Sequence, residues 1–244
     1  MPIALVTGAT RGLGRALADA LADRGWDLVV TARHAVRLDT TVEGLRGHGH
    51  RVVAVPGDVA DAAHREELVA AALATCGGAG LDLLVNNAST LGPVPLRRVV
   101  ELMTEELAHV FAVNVLAPHA LLRELLPSLA AAGGAVLDVS SDAAVEHYES
   151  WGGYGASKAA LDHLTLTLAV EAPGIRAWSV DPGDMRTAMH QAAFPGEDIS
   201  DRPLPDHVAV PALLALLDAR LPSGRYRAAE IAGIVGSGRT GVGS

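Results

Sequence analysis

The chain has 244 residues, a formal net charge of -9 and a single cysteine, Cys76. That length can bury one sizeable core. The acidic balance, without a basic run to grip a phosphate backbone, argues against a nucleic-acid partner, and one cysteine excludes an internal disulfide. The N-terminus MPIALVTGATRG lacks the basic start and apolar core of a signal peptide. No apolar run reads as bilayer-spanning, so no membrane partner and a cytoplasmic location are expected. Hydrophobic residues are 50% of the chain but aromatics only 3%. The core must therefore be built from Ala, Val and Leu, which suits helices layered on a buried sheet.

The first predicted strand is IALVT (3–7), followed by TGATRGLG and the helical run GRALADALADRG. Thr7, Gly8, Arg11, Gly12, Leu13 and Gly14 thus sit where a strand turns into a helix. Glycines there let backbone amides cradle a pyrophosphate at the helix N-terminus. The spacing is G-x-x-x-G-x-G rather than G-x-G-x-x-G.

The second strand, DLVVT (27–31), runs into Ala32 and Arg33. An acid that would take the ribose hydroxyls of NAD is missing there. Arg33, with Arg11 on the same side, could instead pair with an adenosine 2′-phosphate, so NADP is expected over NAD. The third strand, RVVAV (51–55), leads to Asp58 and Val59 at the expected adenine edge, and the helix REELVAAALATCG follows.

The fourth strand, LDLLVNN (81–87), ends in Asn86, Asn87, Ala88 and Ser89. Asn86 reads as a knit between neighbouring strands, whereas Asn87 and Ala88 are placed to line a cofactor groove. A long helical stretch, 104–134, carries Asn114 and leads to the fifth strand, AVLDVS (135–140).

Ser140 and Ser141 close that strand, and thirteen residues past Ser141 stands Tyr154 at the head of the helix ASKAALDHLTLTLAVEA. Tyr154 and Lys158 are four apart, hence one turn apart on one helical face. A phenol titrates near 10 and is a poor base at neutral pH. A lysine beside it, with the positive charge of an oxidised nicotinamide, would favour the phenolate. The sixth strand is IRAWSV (175–180).

Strand and helix thus alternate from residue 3 to about residue 180. The pattern predicts one α/β domain: a Rossmann-type, doubly wound parallel sheet with helices on both faces and ligand at the strands' carboxyl ends. Three segments, 89–98, 142–153 and 185–205, should wall a substrate pocket. The last, polar and punctuated by Pro and Gly, reads as a lid. His147, Tyr148, Trp151, Met185, Met189 and Phe194 supply an apolar, partly aromatic lining. Asp142, Glu146 and Glu149 put negative charge near the mouth, which disfavours acidic substrate carriers. The Gly/Ser-rich end, 233–244, is expected to fray.

Over residues 3 to about 231, the chain resembles the short-chain dehydrogenase/reductase family. The likeness rests on TGATRGLG, the Asp58-Val59 pair, NNAS, Asn114, Ser141, YGASK and DPGDMRT (181–187). It implies Tyr154 as general acid/base and Lys158 holding the nicotinamide ribose and lowering the tyrosine pKa. Ser141 would orient the substrate carbonyl, and Asn114 would carry a relay water. Pro182, Gly183 and Thr187 would meet the nicotinamide, and NADP-preferring members carry basic residues matching Arg11 and Arg33. Ser89 replaces a common glycine. The C-terminus lacks the Asp-Gly-Gly ending of many tetramers, so a homodimer through helices near 101–132 and 154–172 is expected, with a tetramer possible. The activity implied is NADPH-dependent reduction of a small-molecule carbonyl, or the reverse oxidation of an alcohol. The alternative is a catalytically silent NADPH sensor. Neither a G-x-S-x-G hydrolase turn nor a metal site is found; His48 and His50 lack a third ligand.

Overall fold

A computed structural model describes residues 1–239. Seven strands, β1 (Ile3–Thr7), β2 (Asp27–Ala32), β3 (Val52–Pro56), β4 (Leu83–Asn86), β5 (Ala135–Val139), β6 (Arg176–Asp181) and β7 (Gly224–Arg227), form one sheet of order 3-2-1-4-5-6-7. Every pairing is parallel. The helices are α1 (Gly12–Asp23), α2 (Ala35–Arg46), α3 (Ala62–Cys76), α4 (Thr104–Phe111), α5 (Ala117–Ala132), α6 (Gly152–Glu171), α7 (Ala188–Ala193), α8 (Ala209–Asp218) and α9 (Ala228–Arg239).

The strands are apolar on both faces because helices cover both. Ala4, Val6, Leu28, Val30, Leu83 and Val85 pack with Leu17, Leu21, Leu38, Leu213 and Ile231 on one side. The alternating residues Ile3, Leu5, Val29, Leu84 and Val136 pack with Leu68, Leu121, Leu125, Leu129 and Leu168 on the other. A period of two along each strand thus feeds two cores. Helix ends are set locally. Asp61 accepts a hydrogen bond from the Ala63 amide at the start of α3, and Gly77 closes that helix at φ 54°.

Chain order also decides where a ligand can lie. β2 and β3 extend the sheet to one side of β1, β4 to β7 to the other. The connections leaving β1 and β4 therefore diverge and open a crevice at the carboxyl ends of the strands.

Three features depart from expectation. β7, an edge strand of four residues, and α8 lie in a region where the hydrophobic pattern gave no strand. Residues 233–239, expected to fray, belong to α9, which Ile231 anchors in the core; 240–244 lie outside the described residues. Thr104–Ala132 also runs on as one helical segment through a π-turn at Ala112–Leu116. By length and composition alone it could cross a membrane, contrary to the reading of the sequence. Its apolar residues are accounted for here by Leu121, Leu125 and Leu129 in the core.

Leu84 is fully buried in the middle of β4. Leu84→Ala should cost about 2–5 kcal/mol, read as a lower urea midpoint with an unchanged slope.

Candidate active site

The crevice has a volume of about 420 Å³ and collects residues from every strand end between β1 and β6. At its floor the loop after β1 comes very close to the loop after β4. Asn87 Nδ2 donates to the carbonyls of Thr7 (2.8 Å) and Gly8 (3.2 Å). A Cβ at Gly14 would lie 2.3 Å from that nitrogen, and one at Gly8 2.8 Å, where φ is also +71°. Only glycine fits either position. No side chain caps the start of α1, so its first amides are open to an anion.

Of the residues expected to bind cofactor, Gly8, Arg11, Gly12, Leu13, Arg33, Asp58, Val59, Asn87, Ala88, Tyr154, Lys158, Pro182, Gly183 and Thr187 line the crevice. Thr7 and Gly14 do not. The Thr7 hydroxyl donates to Val85 O and accepts from the amides of Asn87 and Ala88, so it fastens β1 to β4. Asn86 likewise donates to Asp138 Oδ1 at 2.7 Å, joining β4 to β5. Arg11 and Arg33 are joined by Arg37, on the first turn of α2, which the sequence reading passed over. None of the three has a carboxylate partner among the described residues, although ion pairs abound elsewhere on the surface. This donor set fits a dinucleotide: a glycine cradle and open amides for the pyrophosphate, then unpaired guanidinium groups at the adenosine end.

At the other end stand Ser141, Tyr154 and Lys158. Tyr154 and Lys158 share α6; the ammonium lies 5.6 Å from the phenol ring centroid and donates to Val139 O at 2.7 Å. Ser141, at the end of β5, donates to Asp142 Oδ1 and accepts from the Ala143 amide. Burial pushes the Tyr154 phenol well above its usual value, while hydrogen bonds with the hydroxyls of Ser141 and Ser89 pull it part of the way back. Desolvation thus sets the direction, and the depression expected from Lys158 is not among the influences that oppose it. Burial also lowers Lys158 to about 8, opposed by Asp138 and Asp162.

Asn114 does not line the crevice. Its amide donates to Thr90 O and Ser157 Oγ, and its carbonyl oxygen accepts from the Ser89 hydroxyl and the Thr90 amide. All four positions are filled, so the side chain cannot carry a relay water. It braces the loop after β4 against α6 instead. Ser89, which replaces a common glycine, brings to this network a hydroxyl that a glycine would lack.

Of the expected substrate residues, Ser141, Trp151, Met185 and Met189 line the crevice. Phe194 backs Trp151 at 5.8 Å between ring centroids. His147 and Tyr148 do not: both are exposed, and the Tyr148 hydroxyl turns away to donate to Asp142 Oδ2. Glu146 and Glu149 pair with Arg227 and Arg98 outside the crevice, so Asp142 alone of the three acids faces it. From the segment 185–205, Met185, Thr187 and most of α7 line the crevice, and Thr187 reaches the glycine loop: a Cβ at Gly12 would lie 3.4 Å from its methyl group.

A family model described as short chain dehydrogenase matches residues 2–198. An uncharacterized oxidoreductase of Saccharomyces cerevisiae is 36% identical over 188 residues, 77% of this chain and 72% of that protein. Sepiapterin reductase of Bos taurus is 34% identical over 201 residues, 78% and 75% of the two chains. An alcohol dehydrogenase of Thermococcus sibiricus, solved with 5-hydroxy-NADP, superposes with a TM-score of 0.83 at 32% identity, over 93% and 95% of the two chains. By sequence and by fold together, this chain belongs to the short-chain dehydrogenase/reductase family of oxidoreductases.

Proposed function

We propose that the protein is an NADPH-dependent carbonyl reductase, competent in reverse as an alcohol dehydrogenase, acting on a neutral, largely apolar ketone or secondary alcohol. One observation carries this reading: Ser141, Tyr154 and Lys158 meet in the crevice whose far end holds three unpaired arginines. The NADP-type ligands in the Thermococcus sibiricus structure and in that of a putative short chain dehydrogenase from Shigella flexneri agree with it. The intact Ser–Tyr–Lys set disfavours a silent NADPH sensor.

NADP would lie with its pyrophosphate over Gly8, Gly12 and the start of α1, and its 2′-phosphate among Arg11, Arg33 and Arg37. When bound, it supplies or accepts the hydride. Tyr154, kept protonated by burial, donates its proton to the carbonyl oxygen during reduction. Ser141 holds that oxygen by a hydrogen bond. Lys158 reaches the nicotinamide ribose and, as an ammonium, offsets the charge left on the phenol oxygen. Trp151, Met185 and Met189 exclude water from the reacting carbon, and the segment 185–205 acts as the lid. Exposed apolar residues on α4 to α6, among them Leu107, Leu116, Leu164, Leu166 and Val170, fit pairing of two copies as a homodimer.

Three outcomes follow from these roles. Tyr154→Phe should reduce kcat for ketone reduction by about 10²–10⁴-fold while the NADPH dissociation constant stays within about threefold. This is measured by absorbance at saturating NADPH and by fluorescence titration. Loss of binding instead would make the tyrosine structural. Removing both Arg33 and Arg37 as alanines should raise the KM for NADPH by about 10–100-fold and leave that for NADH nearly unchanged, since each charge-assisted bond contributes roughly 1.5–3 kcal/mol. Equal effects on both cofactors would overturn the assignment of the 2′-phosphate site. Finally, the Lys158 ammonium is present below about 8 and lost above it. The kcat/KM for ketone reduction should therefore fall by about tenfold per pH unit on the alkaline side of that value. A profile flat to pH 10 would refute a role for the charge.

A further inference from the structure

Ser141 is half-buried, and the turn after it lies directly on α6, where a Cβ at Gly155 would come within 2.5 Å of Ala143 O. That turn is a single 3-10 turn, Asp142–Ala144, of which Ala143 alone is buried. The Ser141 backbone carbonyl already accepts from the Ala144 amide at 3.2 Å. A second donor nevertheless reaches the same oxygen from 84 residues away: Arg225 Nη2, at 2.9 Å. Arg225 stands on β7, where it pairs in register with Ser179. Its Nε donates to Asp162 Oδ2 at 2.8 Å. Asp162 lies on α6, one turn beyond Lys158, and its other oxygen accepts from the Ser179 hydroxyl. The pair is secluded, with side-chain exposures of 20% for Arg225 and 8% for Asp162.

One planar guanidinium thus spans the Ser141 loop and the helix that carries Tyr154 and Lys158, with donors in a fixed fork. A buried ion pair is a poor device for stability, since apolar replacements of both partners are often neutral or better. The Ser141 carbonyl does not need the second donor to be satisfied. What the fork does set is the distance and angle between Ser141 and α6, and misplacement of a reacting group by about 1 Å can cost roughly 10²-fold in rate.

We propose that Arg225, held by Asp162, is a positioning residue that fixes Ser141 against Tyr154. This rests on the reading of Ser141 as the group that orients the carbonyl oxygen. β7 then becomes part of the active-site support rather than a mere sheet edge.

The test is a double-mutant cycle. Arg225→Met with Asp162→Leu removes both charges together, and Arg225→Lys keeps the charge while losing the fork. Each is made alone and with Ser141→Ala. In the wild-type background, the paired replacement should lower kcat by about 10–100-fold and Arg225→Lys by a smaller factor, with KM and NADPH affinity within about threefold. With Ser141→Ala, Arg225→Lys, which leaves Asp162 and its support of the Lys158 charge in place, should cost less than about twofold more, because the group it positions is already gone. Equal losses from Arg225→Lys in both backgrounds, loss of NADPH binding, or no loss in kcat would overturn the proposal. Amide exchange gives a readout independent of turnover. In the paired variant the amides of Ala144, Val145 and Glu146 should exchange at least about tenfold faster, with those of α6 unchanged. If the wild-type protein reduces no ketone, the reading of the reaction fails, and this exchange pattern alone decides the positioning claim: unchanged rates refute it. If the paired variant does not fold, Arg225→Lys decides by the same comparisons.

Discussion

An ammonium group at 2% exposure sits at the centre of this structure, and much of the chain around it is arranged to keep it charged. Lys158 has left water, which without partners would cost several kcal/mol. It is held by the Val139 carbonyl and by the fields of Asp138 and Asp162, and it still falls to about 8. Asp138 suffers the opposite shift, raised by burial to about 6 despite hydrogen bonds from Thr165 and Asn86. Between those two values both groups are ionised. Burial thus pushes the two groups in opposite directions, and each is held toward its charged form by the other. Three strands and α6 take part in this balance, so the helix that carries Tyr154 can dock in only one way.

The same constraint explains why the two ends of the crevice differ. At the adenosine end Arg11, Arg33 and Arg37 are exposed and unpaired, free to meet a phosphate that arrives from solution. At the other end every charge is engaged within the protein: Lys158 with a carbonyl, Asp142 with two hydroxyls, Asp181 with the Gly183 amide. One end of the crevice thus presents solvated cations, and the other presents groups that are desolvated and held by the protein. A phenol raised by burial is a better-protected acid than a solvated one, and the neighbouring ammonium becomes important only once the proton has left.

The sequence made the centre of this site legible and its support obscure, for physical reasons. Strand-end motifs are short-range: Gly8 and Gly12, or Tyr154 and Lys158, act within one turn of one another, so their spacing carries their role. The five inner strands announce themselves because burial on both faces demands unbroken apolar runs, and β3, at the far edge, still carries the run VVAV. β7 makes no such demand. As an edge strand of four residues, GRYR, its contribution is Arg225, whose partners lie 63 and 84 residues away. No local pattern records a contact of that range. Arg37 was missed because a basic residue in the first turn of a helix looks like a solvated face. His147 and Tyr148 were misplaced because an aromatic cluster in a pocket-forming segment resembles a lining. Trp151 lines the crevice, while Tyr148 is exposed and spends its hydroxyl on Asp142. The glycines of the tail suggested fraying, but a single buried Ile231 is enough to tie α9 to the core.

Asn114 illustrates how the rigid and variable parts of the site are joined. It lies in the π-turn between α4 and α5, and its amide group has every donor and acceptor engaged, two of them on Thr90 and one on Ser157 of α6. A saturated buried amide costs about 1–3 kcal/mol for each partner removed, so the loop after β4 cannot shift without breaking it. Ser89, next along that loop, is thereby delivered to the Tyr154 phenol. On the opposite wall the segment 185–205 has no comparable strut into the sheet. It meets the site through Phe194 against Trp151, with His190 on Phe194, through Met185 against the core and through Thr187 beside Gly12. The wall that touches the Tyr154 phenol is fixed by hydrogen bonds, and the wall formed by Met185, Met189 and the rest of α7 by apolar and aromatic contact. The two are supported by different interactions, so a change in one wall need not disturb the other.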